Sequence, residues 1–158
     1  MMKSILILVS FLALTACGFR PVHTSTGLSG ASASQISIPE IPGRGGHALR
    51  KALLAEFATG LPGVDSATLT ITLDESLARL SIRPDEAAAR SDALAIGRYV
   101  LDTGEDAIAG EARAEASFNV PVSAFGDITS QTDASERTMT ILAQRIADDL
   151  RLKLAERE

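Results

Sequence analysis

The sequence has no tryptophan and a single tyrosine. Surfaces that bind sugars or single-stranded nucleic acid usually use such rings as stacking platforms, so both readings start weak. One cysteine among 158 residues cannot close an internal disulfide. Two histidines, His23 and His47, fall short of the three or four ligands that zinc requires at set spacings, and no metal or cofactor is expected. A basic tract is also missing: 15 Lys and Arg stand against 20 Asp and Glu, for a net charge of −5. An acidic chain of this kind is a poor nucleic-acid binder. The uncharged apolar stretch near the N-terminus, residues 4–18, is shorter than the roughly 20 apolar residues that a membrane-spanning helix needs.

Catalytic signatures are absent as well. The chain contains no Gly-x-Ser-x-Gly elbow, no Ser-x-x-Lys and no Gly-x-x-x-x-Gly-Lys. His47 could pair with a distant Ser and Asp, but a capping or solvated histidine is the ordinary role at a helix start. Gly43-Arg44-Gly45-Gly46 could cradle an anion through backbone N–H groups. No Lys-Ser/Thr follows it, so it reads as a flexible connection. Glu111, Arg113 and Glu115 alternate along one strand, which is the pattern of a solvated face that discourages aggregation. The expectation is a protein that is not an enzyme.

The N-terminus is informative. Lys3 supplies a short positive region, residues 5–14 are almost wholly apolar, and Thr15-Ala16 are small. This is the layout of a cleaved secretory signal over residues 1–16. Leu14-Thr15-Ala16-Cys17 resembles the lipobox of bacterial lipoproteins, in which the thiol takes a diacylglycerol before cleavage frees the α-amine for acylation. That resemblance implies a lipidated Cys17, anchored firmly because several acyl chains sit on one residue. Gly18 stands where Asp favours inner-membrane retention in such lipoproteins, which implies passage to the outer membrane. The 142 residues from 17 to 158 carry 14 basic and 20 acidic side chains and suffice for one domain with a core. Residues 17–34, rich in Gly, Ser, Thr and Ala, read as a tether, and residues 35–158 as a single domain.

Within that domain Ile36-Ser37-Ile38 alternates and meets Pro39 and Pro42, the mark of a short edge strand. Leu49, Leu53 and Phe57 recur every four residues and predict a helix over about 46–59, stopped by Gly60 and Pro62. Leu69, Ile71 and Leu73 alternate with Thr68, Thr70 and Thr72 in the clearest strand. Beyond Asp74 its pattern blurs into either a bulge or a break before a turn at Pro84-Asp85. Residues 93–102 and 107–120 predict a hairpin about Thr103–Asp106. Its second arm buries Ala112, Ala114, Ala116, Phe118 and Val120. The register of the first arm stays open, since Leu94, Ile96 and Val100 compete with Tyr99 and Leu101 for the core. Residues 122–132 read as a loop, with Asp133 and Glu136 as a capping-box-like helix start. Met139, Leu142, Ala143, Ile146, Leu150 and Leu154 then form one apolar stripe. The order strand-helix-strand-strand-strand-helix predicts an α+β domain, with two helices packed on one face of a four-stranded mixed sheet.

The run Cys17-Gly18-Phe19-Arg20-Pro21-Val22-His23 resembles the Cys-Gly-Phe-x-Pro-(Leu/Val)-(Tyr/His) opening of LptE, the lipopolysaccharide-assembly lipoprotein, in its alphaproteobacterial branch. The element order and the closing helix agree in kind. The resemblance implies a plug inside the LptD outer-membrane β-barrel, on the periplasmic side of that membrane in a Gram-negative envelope. It also implies contact with lipopolysaccharide through basic side chains. The sheet-region arginines Arg79, Arg83, Arg90, Arg98 and Arg113 are the candidates for meeting lipid phosphates, and a surface ion pair is the ordinary alternative for each. Two other classes stay open. A lipoprotein adaptor for another envelope complex would face the periplasm without a barrel. A lipid carrier would need an internal apolar cavity.

Overall fold

The computed structural model describes residues 35–82, 88–121 and 123–157. The expected signal, the tether, Cys17 and the turn at Pro84-Asp85 lie outside the described residues, as does Arg83. Strand β1 (Gln35–Ser37) leads into helix α1 (Gly43–Glu56). Strands β2 (Ser66–Ile82), β3 (Ala88–Asp102) and β4 (Ala107–Asn119) follow, and helix α2 (Ala124–Ala155) closes the domain. The sheet order is β1-β2-β3-β4. β1 is parallel to β2, through the crossover made by α1, and the other pairs are antiparallel. This is the expected α+β fold.

β1 is short because its ladder ends where Pro39 and Pro42 remove donors, after three pairs from Gln35–Ser66 to Ser37–Thr68. β2 continues to Ile82 with register shifts at Arg79/Ser81 and Ser81/Ile82, so a bulge, not a break, accounts for the blurred pattern. β3 begins at Ala88, five residues before the expected start. Its register is settled by burial: Ala93, Ala95, Tyr99 and Leu101 face the helices, whereas Leu94 and Ile96 are half-buried on the opposite face and Val100 is exposed there. The β3–β4 loop closes on itself. Thr103 N–H donates to the Asp106 carbonyl (3.0 Å), Gly104 N–H donates to Asp102 Oδ1 (2.8 Å), and Gly104 takes φ +86°.

Both helices depart from their expected limits, for different reasons. α1 starts three residues early, drawing Gly45 and Gly46 into a helix that the glycine run argued against. A β-carbon on Gly45 would strike the Glu75 carboxylate, and one on Gly46 the Ile41 carbonyl. Close approach therefore requires glycine here, and packing outweighs a propensity cost of about 1 kcal/mol per residue. The helix also stops at Glu56, three residues short of expectation. α2 starts at Ala124, nine residues before Asp133, and the expected loop over 122–132 is helical from there. Its true cap is Ser123, whose hydroxyl accepts from Gly126 N–H at 3.1 Å. Thr129 and Thr132 donate their hydroxyls back to the carbonyls of Phe125 and Ile128, which satisfies them inside the helix. Asp133 is a mid-helix residue paired with Arg137 at 3.0 Å.

The core lies between the helices and the sheet. Leu49 and Leu53 of α1, Leu69 of β2, Tyr99 and Leu101 of β3, and Met139, Leu142, Ile146 and Leu150 of α2 are all at most 1% exposed. Each fully buried Leu or Ile contributes about 1.5–3 kcal/mol. Small residues on β3 and β4 (Ala95, Gly97, Ala112 and Ala114) form the floor under α2. A β-carbon on Gly97 would sit 3.2 Å from Ile146 Cδ1 and 3.3 Å from Leu142 Cδ2.

Candidate interaction surfaces

Among the described residues, the surfaces that carry polar or charged groupings include the open face of the sheet, the outer edge of β4, the polar plug where α2 meets β3, and the outward row of α1.

The open sheet face is set by strand parity. Cross-strand rows run Thr70–Val100–Ala109, Thr72–Arg98–Glu111, Asp74–Ile96–Arg113 and Ser76–Leu94–Glu115. The structure brings two of the five candidate arginines together here. Arg98 Nε lies 3.1 Å from Glu111 Oε2, and Arg113 reaches Glu111 Oε1 at 2.9 Å. The hydrogen bond from Arg113 is the main reason that the Glu111 carboxyl is held below its ordinary pKa, with Arg98 adding to it. Both arginines are exposed, so the cluster adds little to stability. Arg90 lies on the same face, exposed, opposite Asn119. Arg79 pairs along the backbone with Ser91, next to the bulge.

The edge of β4 is covered by α2. Lys153 Nζ donates to the Ala109 carbonyl at 3.0 Å, Arg145 donates to that of Arg113, and an Arg137 amine donates to that of Ser117 at 3.3 Å. The donors are eight residues apart on the helix, about 12 Å. The carbonyls are four apart on the strand, about 13.6 Å. The two spacings match closely enough for one antiparallel helix to occupy alternate outward carbonyls of the strand. Another strand could not pair there without displacing cations.

The polar plug joins the same helix to the core. Tyr99 is 1% exposed, and its hydroxyl donates to Asp149 Oδ2. Lys153 donates to the phenol oxygen at 3.2 Å, lies 2.9 Å from Asp149, and sits 5.3 Å from the ring centroid. Burial, then the Asp149 hydrogen bond, raises the Tyr99 pKa. The Tyr99 hydrogen bond chiefly lowers that of Asp149, and the Asp149 hydrogen bond chiefly raises that of Lys153. Gly110 provides the space, since a β-carbon there would overlap the phenol. The three groups neutralise one another and hold the chain's one tyrosine against α2. Sequence reading missed them because they join residues fifty positions apart.

On α1, Arg44, His47, Lys51 and Ala55 recur at three- and four-residue spacing, and all are exposed. The helix holds Arg44, Arg50 and Lys51 against Glu56 alone, in a chain of net charge −5. A helical-wheel reading of 44, 47 and 51 would have found this row from sequence.

No known family model matches the chain, and no curated protein sequence matches it. Solved structures do. A crystal structure assigned as a lipoprotein from Caulobacter crescentus CB15 is 24% identical, covers 78% of this chain and 92% of its own, and superposes with a TM-score of 0.60. Rare lipoprotein B from Shewanella oneidensis is 13% identical over 77% of this chain and 96% of its own, with a TM-score of 0.57. Lipoprotein B from Nitrosomonas europaea, solved by NMR, is 11% identical over 84% and 94%, with a TM-score of 0.56. At these identities the likeness is one of architecture, so the two-helix, four-stranded fold of this chain is similar to a fold found in proteins named as lipoproteins.

Proposed function

We propose that the chain is a lipid-anchored outer-membrane protein of the LptE type, acting as the plug and assembly partner of an LptD-like β-barrel in lipopolysaccharide insertion. The observation that carries this reading is the run Cys17–His23 placed directly after an export signal. The architectural likeness to proteins named rare lipoprotein B and lipoprotein B supports it. On this reading no bond is made or broken and no cofactor is used beyond the lipid on Cys17. The domain fills a wide lumen, and its polar exterior meets the polar interior wall of a large barrel. Arg90, Arg98 and Arg113 are the candidates for lipopolysaccharide phosphates, with Glu111 as the carboxylate that a phosphate must displace.

The test is purification of the tagged full-length protein from detergent-solubilised envelopes. The expected outcome is one large β-barrel in near one-to-one yield, and loss of membrane anchoring for Cys17→Ser. Recovery of the lipoprotein alone, or with inner-membrane components, overturns the barrel-partner role and favours a periplasm-facing adaptor.

A further inference from the structure

Ion pairing among the described residues is uneven. Arg98, Arg113, Arg137, Arg151, Lys153 and Arg157 each lie within 4 Å of a carboxylate. Among the described residues Arg90 and Arg145 have no such partner, and neither does any basic residue of α1, where the three cations lie on one helix. Arg44 donates only to the Thr132 hydroxyl, at 3.3 Å, and Arg50 only to the Ile38 carbonyl, at 2.8 Å. Glu56, the one carboxylate of α1, is turned toward Arg151 of α2, at 3.8 Å. Arg44, His47 and Lys51 therefore form an exposed row of cationic and titratable groups on a chain that is acidic elsewhere.

We infer that the outward row of α1, centred on Arg44 and Lys51, is the surface that docks onto a carboxylate-bearing wall of a protein partner. The inference rests on the barrel-partner reading and adds which face of the domain meets the wall. Charge complementarity carries it: unpaired cations on an otherwise acidic domain select an acidic surface and fix its orientation. The helix is suited to the task, because its opposite side is locked by Leu49 and Leu53 at 0% exposure, which makes the row rigid. Leu54, 43% exposed beside the row, adds apolar contact once the charges are engaged.

The experiment uses the full-length lipidated protein carrying Arg44→Glu and Lys51→Glu together, purified from envelopes as above. Arg157→Glu, the reversal of a cation already paired with Asp106, is the control. Circular dichroism of each variant checks that the fold is retained. The expected result is at least a tenfold loss of the co-purifying barrel for the α1 reversal. Little loss is expected for the control, and Arg44→Lys with Lys51→Arg should restore the yield. Barrel recovery by wild type but undiminished by the α1 reversal overturns the inference and leaves the barrel-partner reading standing. No barrel with wild type overturns both. A third outcome would be wild-type binding to phosphatidylglycerol vesicles, lost in the reversal while barrel yield is unchanged. That would assign the row to lipid and also overturn the inference.

Discussion

Replacing Tyr99 by Phe removes one oxygen from the interior and tests the polar plug directly. The ring volume is kept, so no large cavity opens. What is lost is a hydrogen bond to a carboxylate and the acceptor for Lys153. A bond to a charged group contributes about 1.5–3 kcal/mol net. Asp149 and Lys153 keep each other at 2.9 Å, and their side chains stay about one-third exposed, so water replaces part of the loss. The expected destabilisation is therefore about 1–2 kcal/mol at pH 7, measured by urea denaturation of the chain without residues 1–16 and carrying Cys17→Ser. The pH dependence gives the sharper check. The folded-state pKa of Asp149 lies below its unfolded value, chiefly because of the Tyr99 hydrogen bond. Its contribution is thus present above the unfolded pKa, near 4, and lost as pH falls through the folded value. The gap between wild type and Tyr99→Phe should stay constant from pH 7 to about 5 and narrow below about 4. A gap that is unchanged at pH 3, or absent at pH 7, would refute the view that Tyr99 acts through Asp149.

Two further predictions concern packing and the sheet edge. Gly45→Ala should destabilise by about 1–3 kcal/mol through overlap with the Glu75 carboxylate. In a Glu75→Ala background the same change should become neutral or stabilising by up to about 1 kcal/mol as helix propensity takes over, a sign reversal read from a double-mutant cycle. Arg137→Ala with Arg145→Ala should leave the fold intact but uncover two carbonyls of β4. Sedimentation velocity should then show concentration-dependent association that wild type lacks, and a strictly monomeric variant would show that the cations are not what protects the edge.

Much of this fold is legible in the sequence because its periodicities are clean. The threonine strand, the alternation from Glu111 to Val120 and the stripe from Met139 to Leu154 each match one period, and each occupies the predicted face. β3 was open because apolar residues sit at both parities. Its register turns on Tyr99, which faces inward because its hydroxyl finds Asp149 and Lys153 there, and no local pattern records partners fifty residues away. The first turns of α2 were hidden for another reason. Thr129, Ser130 and Thr132 are residues of modest helix propensity, and Phe125 and Ile128 are 82% and 63% exposed, so no buried stripe marks the segment. The glycines of α1 signal a loop by propensity and are kept by close approach instead. On the candidate surfaces, the alternation of Glu111, Arg113 and Glu115 placed the charged face correctly. The cations covering the β4 edge join a helix to a strand across the fold, and only the tertiary structure brings them together.

The closing position of α2 sets the order in which this chain can become stable. Met139, Leu142, Ala143, Ile146, Ala147 and Leu150 are wholly buried, and all belong to the last 32-residue element. The three long strands precede it and pair in sequence order, so the sheet can form early, with its alanine-floored face still wet. When such a chain emerges N-terminus first, from a ribosome or through a pore, that face has no cover until α2 has passed. Completion is then a late, cooperative event governed by the C-terminal helix. Truncation by even three turns removes Ile146, Leu150, Arg145 and Lys153, leaving the core face and the β4 edge open together.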